Sequence, residues 1–394
     1  MNTIEKFNQH VMATYGRLDI VLDKGSEQNA VAEDGKEYID FGSGIGTNSL
    51  GYCDKDWADA VCAQARSIQH TSNYYYTKVQ ADFAAKLCDA TGYKKAFFGN
   101  SGAEANECAI KLARKYSFDK YGKDAQRNII ITLVNSFHGR TLATLSATGQ
   151  DVFHNYFFPF LEGFVNVEAN NIDDLKAKLS ENKGKVCAVM FEFVQGEGGV
   201  CPLTKEFVDA IFAECAKDDI LTIADEVQTG VGRTGAVLTS KIFGVKPNIT
   251  TLAKGLAGGV PIGACLADES CCDVLTKSTH GSTFGGNPLA CAGGTVVLNK
   301  VSDPEFIKEI NRKAEFYREC LSEIDEVEGV DGMGLMLGVR LKTKKAADIL
   351  VKCAENGLLI LTAKDKLRFL PPLNISYENI KKGMKILKDI LDEK

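Results

Sequence analysis

The stretch DILTIADEVQ, residues 219–228, decides the fold: a short apolar run of strand-forming residues ends in a carboxylate, Asp225. Five other runs of the same kind occupy residues 95–99, 128–134, 186–193, 249–253 and 262–267. Short β-branched or aromatic runs, mostly separated by helical patterns, are typical of parallel strands buried on both faces. The middle of the chain therefore predicts an α/β domain with a mainly parallel sheet.

The two ends of the chain carry a different pattern. Residues 18–41 contain short alternating runs, which predict a small antiparallel element before the α/β region. From about residue 303 a long amphipathic helix is followed by a predicted strand at 334–341 and a second helix around 344–356. We therefore predict a large α/β domain at residues 50–290 and a small α+β domain built from residues 1–49 and 291–394.

Composition limits the classes of function. The 394 residues are 45% hydrophobic and 25% charged, and the net charge of −6 argues against a nucleic-acid surface. No apolar run is long enough to span a bilayer. Thirteen cysteines are spread along the chain without a signal segment, and the five histidines never fall at metal-ligand spacing. We expect a cytoplasmic protein with reduced thiols, no metal, and neither a membrane nor a nucleic-acid partner.

The first candidate site is the turn that contains Ser101, Gly102 and Ala103, between a predicted strand and a predicted helix. The amides of Gly102 and Ala103, with the Ser101 hydroxyl, could hold a phosphate, because the N-terminus of a helix favours negative charge. The same turn is equally typical of an ordinary capped start of a helix.

The second candidate is Asp225, at the carboxyl end of its strand, the edge at which open α/β sheets bind ligands. A carboxylate there needs a cationic or hydrogen-bonding partner, and a protonated pyridine nitrogen would be one. A helix cap or a solvated turn would explain the residue equally well.

The third candidate is Lys254, which ends the apolar run at 249–253 and precedes a glycine-rich turn. Desolvation lowers the pKa of an amine, and a neutral lysine can form an imine with an aldehyde cofactor. Most lysines are simply surface charges, so position alone does not establish catalysis.

The three candidates gain weight from their combination in one predicted sheet. Pyridoxal phosphate needs an anchor for its phosphate, a carboxylate that keeps its ring nitrogen protonated, and a lysine for its aldehyde. The turn at 101–103, Asp225 and Lys254 offer these three groups in that order, so the sequence predicts this cofactor.

Seven ordered segments resemble the class III, or ω-amino, aminotransferases of fold type I, over nearly the whole chain. The segments are FGNSGAEANE (98–107), SFHGRTLATLSATG (136–149), EFVQGEGG (192–199), ADEVQTGVGRTG (224–235), TLAKGLAGGVPIGA (251–264), GSTFGGNPLACA (281–292) and RFLPPLNI (368–375). Within the class, the chain is most similar to acetylornithine aminotransferases. The resemblance implies a large domain with a mainly parallel seven-stranded sheet, and pyridoxal phosphate held covalently by Lys254.

The resemblance also implies how the cofactor is held. Phe137 would stack on its ring, Val227 would pack against the opposite face, and Gln228 would hydrogen-bond the ring hydroxyl. His138 would be a further cofactor-binding residue. Thr283 resembles the residue that reaches the phosphate of the neighbouring subunit's cofactor, so the family implies a homodimer with shared active sites.

Substrate recognition follows from the same resemblance. Arg140 would bind the α-carboxylate of N2-acetylornithine, and Arg368 that of glutamate or 2-oxoglutarate, while Glu197 would pair with Arg368 and mask it. Ser282 would be a further substrate-binding residue. The implied reaction moves the δ-amino group of acetylornithine to 2-oxoglutarate and gives N-acetylglutamate 5-semialdehyde and glutamate, a step of arginine synthesis, with Lys254 moving the proton.

Some residues depart from the family pattern and leave alternatives open. Ile45 falls about where ornithine δ-aminotransferases have a tyrosine, which favours an acylated ornithine, and Ala103 stands where close relatives have threonine. The amine could instead be succinylornithine, succinyldiaminopimelate, ornithine or 4-aminobutyrate. An aminomutase, which turns over without 2-oxoglutarate, and a binding protein that has kept the fold are the other two alternatives.

Overall fold

A computed structural model describes residues 1–393 of the chain. Its strands are β1 (Leu22–Ser26), β2 (Asn29–Ala32), β3 (Glu37–Asp40), β4 (Lys95–Gly99), β5 (Ile129–Leu133), β6 (Phe164–Val167), β7 (Val186–Phe191), β8 (Val194–Gln195), β9 (Cys201–Pro202), β10 (Leu221–Asp225), β11 (Ile249–Leu252), β12 (Gly263–Ala267), β13 (Val327–Met333), β14 (Met336–Leu341), β15 (Leu358–Leu359), β16 (Leu361–Ala363) and β17 (Lys366–Phe369). Its helices are α1 (Thr3–His10), α2 (Ser43–Gly46), α3 (Lys55–Ser67), α4 (Lys78–Thr91), α5 (Gly102–Tyr121), α6 (Leu142–Ala147), α7 (Ile172–Glu181), α8 (Lys205–Lys217), α9 (Thr239–Phe243), α10 (Pro288–Val301), α11 (Pro304–Ser322), α12 (Ala346–Glu355) and α13 (Tyr377–Asp392).

The core of the fold is a seven-stranded, mainly parallel sheet in the order β4-β12-β11-β10-β7-β5-β6. All six predicted strands lie in it, so the predicted fold class is confirmed. Successive side chains of β10 pack into two different hydrophobic clusters. Ile223 packs into the cluster that contains residues of α5, and Ala224 packs into the cluster that contains residues of α8. Burial on both faces explains why these strands read as continuous apolar runs.

One strand direction was predicted wrongly. The run at 262–267, expected to be parallel, forms β12, which is antiparallel to both β4 and β11. The connection from β11 to β12, residues 253–262, holds only a short turn of 3-10 helix, Lys254–Ala257. A parallel neighbour needs a crossover of a dozen or more residues, so this connection returns the chain in the opposite direction.

The terminal segments form two smaller sheets. The predicted antiparallel element is β1-β2-β3, and β15 from the C-terminal part joins it in parallel with β3. The second sheet has the order β13-β14-β17-β16, and α11, α12 and α13 pack near it. The predicted helix near 304, strand near 334 and helix near 344 correspond to α11, β14 and α12. The domain limits at residues 49 and 290 remain a prediction.

A buried arginine joins the C-terminal part to the loop after β10. Arg233 is 3% exposed and donates from Nη1 to the carbonyl oxygens of Leu335, at 2.9 Å, and Pro371, at 2.6 Å. Burial lowers the pKa of its guanidinium to about 9.

None of the helices in residues 1–393 has the length and apolar character needed to cross a bilayer.

Candidate active site

A cavity of about 390 Å³ opens where β4, β10 and β11 end. This is the edge of an open α/β sheet at which ligands bind. Eleven of the predicted site residues line it: Ser101, Gly102, Ala103, Phe137, His138, Arg140, Glu197, Asp225, Val227, Gln228 and Lys254. Three predicted site residues, Ser282, Thr283 and Arg368, do not line it. The structure therefore brings segments that are far apart in the sequence to one place.

Lys254 lies two residues after the end of β11, with its backbone in the left-handed region at a φ of 44°. A lysine there costs free energy that the surrounding structure must offset, and such residues cluster at functional sites. Burial lowers the pKa of the Lys254 amine to about 8, the Glu197 and Asp225 carboxylates oppose this, and Arg368 adds to it. About a tenth of the amine is therefore neutral, and nucleophilic, at pH 7, far more than for an ordinary lysine.

Asp225 is the centre of a buried hydrogen-bond network. Its Oδ2 atom accepts from Asn106 Nδ2 and lies 2.8 Å from His138 Nδ1, and its Oδ1 atom accepts from the amide of Val227 at 3.0 Å. Asn106 in turn accepts from the Thr251 hydroxyl at 2.6 Å. The network holds a carboxylate that is 3% exposed in one orientation at the cavity.

Sequence reasoning did not assign Asn106 or Glu192, although both line the cavity. Glu192 is 5% exposed and accepts from the amides of Phe137, at 2.9 Å, and Gly196, at 3.1 Å. Burial raises the pKa of Glu192, and the Asp225 carboxylate raises it further, whereas His138 lowers it. A glutamate inside the otherwise apolar run at 186–193 was the signal that could have singled it out.

The predicted phosphate turn is the first turn of α5. Ser101 caps this helix, because its hydroxyl oxygen accepts from the Glu104 amide at 3.2 Å. The Ser101 hydroxyl proton is left available, and the amides of Gly102 and Ala103 open the helix without an intrahelical partner. A Cβ at Gly102 would lie 2.7 Å from Val227 Cγ1, so only glycine allows the turn to lie this close to the loop after β10.

Arg368 lies on β17, is 4% exposed, and reaches the site through Glu197. Its Nη1 donates to Glu197 Oε1 at 2.6 Å, and Gln228 Nε2 approaches the same oxygen at 3.5 Å. Although burial pushes the pKa of Glu197 upward, Arg368 and Lys254 bring it below its ordinary value. Glu197 therefore stays charged and lies between Arg368 and the cavity.

Arg140 and Phe137 form the outer wall of the cavity. The guanidinium of Arg140, which is exposed, lies 3.9 Å from the centre of the Phe153 ring and 5.5 Å from that of Phe137. Stacking of this kind orients a guanidinium and leaves its donor edge free for a carboxylate.

Comparison with known proteins shows which protein family the chain belongs to. The family described as "Aminotransferase class-III" matches residues 11–391. The chain belongs to this family. The class III aminotransferase is 48% identical to the acetylornithine aminotransferase of Haemophilus ducreyi, over 98% of this chain and 97% of the relative. It is 44% identical to that of Caldanaerobacter subterraneus, over 100% of this chain and 99% of the relative.

Solved structures give the same class of fold. The ornithine aminotransferase from Toxoplasma gondii superposes with a TM-score of 0.93 at 30% identity, over 98% of this chain and 94% of that chain. The N-acetylornithine aminotransferase from Stenotrophomonas maltophilia superposes with a TM-score of 0.85 at 34% identity, over 98% and 97%. This class III aminotransferase is therefore a transaminase, and its cofactor is pyridoxal phosphate.

The cavity of the aminotransferase fits that cofactor. The helix start at Gly102 is a cradle that a side chain would fill, Asp225 is a fixed buried carboxylate, and Lys254 is a partly neutral amine. Gln228 Oε1 is buried without a hydrogen-bond partner among the described residues. An unpaired buried acceptor costs free energy, which a hydroxyl on a bound ring would recover.

Ser282 and Thr283 lie beside the active site of the aminotransferase. They line a neighbouring cavity that shares Asn100 with it, and Asn100 Nδ2 donates to Ser282 Oγ at 3.2 Å. Thr283 is exposed. Within one chain, the structure thus places these two residues outside the cavity that holds Lys254.

Proposed function

We propose that this aminotransferase moves the δ-amino group of N2-acetylornithine to 2-oxoglutarate, in arginine synthesis, and gives N-acetylglutamate 5-semialdehyde and glutamate. The observation that carries the proposal is the pairing of Arg368 with Glu197. An arginine that can be covered and uncovered suits an enzyme whose two substrates present different groups at one place. The acetylornithine aminotransferases that share 40–48% identity with nearly the whole chain support the same substrate.

The predicted site residues have distinct parts in holding the cofactor. The amides of Gly102 and Ala103, with the Ser101 hydroxyl, would hold the phosphate at the start of α5. Asp225 would hold the protonated ring nitrogen, and its orientation is set by Asn106 and by His138.

The ring itself would lie between Phe137 and Val227, and Gln228 would bind its hydroxyl. When bound, pyridoxal phosphate supplies an aldehyde that accepts the amino group and a cationic ring that withdraws electrons from the reacting carbon. Lys254 would hold the aldehyde between turnovers.

Lys254 and the two arginines would then act on the substrate. Arg140, on the outer wall, binds the α-carboxylate of acetylornithine and orients its δ-amino group toward Lys254. Lys254 Nζ, whose amine is partly neutral, takes the proton from the δ-carbon. In the second half of the reaction Glu197 leaves Arg368, which binds the α-carboxylate of 2-oxoglutarate.

Ile45 supports an acylated rather than a free ornithine. It lies in α2, two residues before Thr47, which lines the cavity, and its side chain is 43% exposed. An apolar side chain offers no hydrogen bond to the α-ammonium group of free ornithine, whereas it can pack against the methyl group of an acetyl substituent.

Paired half-reactions test the proposal. The purified protein, loaded with pyridoxal phosphate, is mixed with acetylornithine, succinylornithine, succinyldiaminopimelate, ornithine or 4-aminobutyrate, and the loss of the visible absorbance of the lysine-bound cofactor is followed. We expect acetylornithine to react fastest, and Lys254→Ala to lack both that absorbance and turnover. An equal or faster reaction with 4-aminobutyrate would refute the substrate. Turnover without 2-oxoglutarate would indicate an aminomutase.

We also propose that the enzyme is a homodimer with shared active sites. Thr283 is exposed outside the cavity of its own chain, and the neighbouring Phe284 is 58% exposed. Tyr74, Tyr75 and Tyr76 are 93%, 70% and 106% exposed, and aromatic side chains of this kind are enriched at interfaces.

Subunit mixing tests the dimer. We expect the Lys254→Ala variant to be inactive and the Thr283→Ala variant to be weakly active alone, but if sites are shared, a mixed dimer contains one site with neither change. Activity should therefore return after mixing and refolding, and a monomer mass in solution would contradict the proposal.

A cytoplasmic location belongs to the same proposal. All thirteen cysteines are free, as expected in a reducing compartment. Fractionation of cells that express the protein tests the location, and recovery outside the cytoplasm would contradict it.

A further inference from the structure

Glu192 is a second buried carboxylate at the cavity, and the transamination proposed above gives it no part. It directly follows β7, and Phe191, the last residue of β7, lies opposite Ala224 of β10. Glu192 and Asp225 therefore leave two neighbouring strands side by side, at the edge of the sheet where ligands bind. Burying two carboxylates so close together costs free energy, so the second one needs partners of its own.

The carboxylate of Glu192 joins two loops through their backbone amides. Its Oε1 atom accepts from the Phe137 amide at 2.9 Å, and its Oε2 atom accepts from the Gly196 amide at 3.1 Å. Phe137 belongs to the loop that follows β5, 55 residues before Glu192, and Gly196 directly follows β8. An ionised carboxylate has acceptors only, so each of its oxygens suits an N–H group. The side chain thus holds the two loops at a fixed separation.

Both loops carry groups of the proposed site. Phe137 is the aromatic wall on which the cofactor ring would stack, and Glu197, the residue after Gly196, covers Arg368. Gly196 also lies close to Gln228, because a Cβ at Gly196 would be 2.3 Å from Gln228 Oε1. A displacement of the Gly196 backbone would therefore move Glu197 and change the space that Gln228 occupies.

We propose that Glu192 is a positioning residue of the transamination, which holds Phe137 against the cofactor ring and holds Gly196 so that Glu197 covers Arg368. This inference rests on the parts that the proposed function gives to Phe137 and Glu197. It adds a link between them: ring stacking and the covering of Arg368 depend on one carboxylate, because that carboxylate fixes both loops.

Glu226 offers a matched control within the chain. It is fully buried, and its two oxygens accept from the amides of Thr239, at 2.6 Å, and Ser240, at 2.9 Å, where α9 begins. Its carboxylate therefore makes the same kind of double contact as that of Glu192, but it joins residues outside the cavity lining. Glu226→Gln should cost stability as Glu192→Gln does, without loosening either loop of the site.

Two variants of Glu192 separate its reach from its charge. Glu192→Gln keeps the shape but replaces one acceptor oxygen by an amino group, which would face an amide N–H. Glu192→Asp keeps the charge but is one methylene shorter, so it cannot contact both amides. Burial raises the pKa of Glu192 to about 7, so measurements at pH 8 keep most of the carboxylate ionised.

Cofactor binding is the first measurement. The full-length protein, freed of cofactor, is titrated with pyridoxal phosphate and followed by fluorescence. We expect both Glu192 variants to bind it about tenfold more weakly, because the loop of Phe137 must then be ordered during binding. Glu226→Gln should bind it as the unaltered protein does, even where its melting temperature falls.

The half-reaction with glutamate is the second measurement, and it should show a split. In both Glu192 variants a looser Gly196 lets Glu197 cover Arg368 less firmly, so the dissociation constant of glutamate should fall about threefold. The maximal rate should fall about tenfold, because the ring is held less firmly. A general loss of structure would weaken glutamate binding and would not produce this split.

Several results would overturn the proposal. These are unaltered cofactor affinity in the Glu192 variants, a rise in the dissociation constant of glutamate, or the same changes in Glu226→Gln. Unaltered behaviour of Glu192→Asp would show that charge alone matters, and this variant decides if Glu192→Gln does not fold. Neither measurement uses acetylornithine, so a wrong amine substrate would leave this test intact, and its failure would leave the substrate assignment intact.

Discussion

Replacing Glu197 by glutamine removes the charge that covers Arg368 and keeps nearly the same shape. The two side chains meet at 2.6 Å, and Arg368 is almost fully buried, so solvent screens their contact weakly. A hydrogen bond to a charged group contributes about 1.5–3 kcal/mol. The substrate glutamate must break the hydrogen bond between Glu197 and Arg368 before its own carboxylate can bind Arg368. At about 1.4 kcal/mol per factor of ten, the variant should bind glutamate and 2-oxoglutarate roughly 10- to 100-fold more tightly.

The amine half-reaction should change in the opposite direction. In Glu197→Gln, the guanidinium of Arg368 remains uncovered and repels the δ-ammonium group of acetylornithine, so kcat/KM for acetylornithine should fall by roughly tenfold, or about 1.4 kcal/mol. Stopped-flow absorbance with acetylornithine and with glutamate measures both effects. Glu269→Gln, which removes an exposed partner of Lys246, is the control and should change neither. Equal changes in the two half-reactions would refute the covering role of Glu197.

Three other predictions concern the cofactor. Asp225→Asn removes a buried charge beside His138 and should lower kcat/KM at least about 100-fold, or about 3 kcal/mol, in steady-state assays; a loss under threefold would contradict its role. Gly102→Ala, whose Cβ would meet Val227, should weaken pyridoxal phosphate about tenfold in a fluorescence titration, with unaltered affinity arguing against the cradle. Covalent loading of the cofactor onto Lys254 should rise about tenfold per pH unit as the amine loses its proton, and it should level off near pH 8. Free acetyl-lysine is the reference amine, and its reaction with the cofactor should level off only near about pH 10.

The buried strands and the three cofactor groups were predictable because their signals are local. A strand that is covered on both faces must be apolar along its length, and a polar residue that follows it lies at the ligand-binding edge, as Asp225 and Lys254 do. The edge strand β6 (FVNV) was missed, because it has one strand neighbour and includes the polar Asn166. The direction of β12 depends on the length of one connection rather than on its own residues.

The partners of the catalytic groups were not predictable in the same way. Asn106 lies 119 residues before Asp225 in the sequence, yet the two side chains share a hydrogen bond of 2.8 Å. The packing of α5 against the sheet brings these two side chains together, so no local sequence pattern predicts the pair. The motif resemblance identified the segment that contains Asn106 but assigned no role to that residue.

The hydrogen bonds from Arg233 to two carbonyl oxygens affect the order in which the enzyme folds during its synthesis. Every residue of the Lys254 cavity is synthesised before residue 263, yet the loop that follows Asp225 is tied through Arg233 to the carbonyl of Pro371. During translation, a nascent chain that already contains the whole cofactor cavity still has this buried guanidinium without one of its two acceptors. Cofactor capture should therefore coincide with release of the chain from the ribosome, and a chain that ends before Pro371 should not retain pyridoxal phosphate.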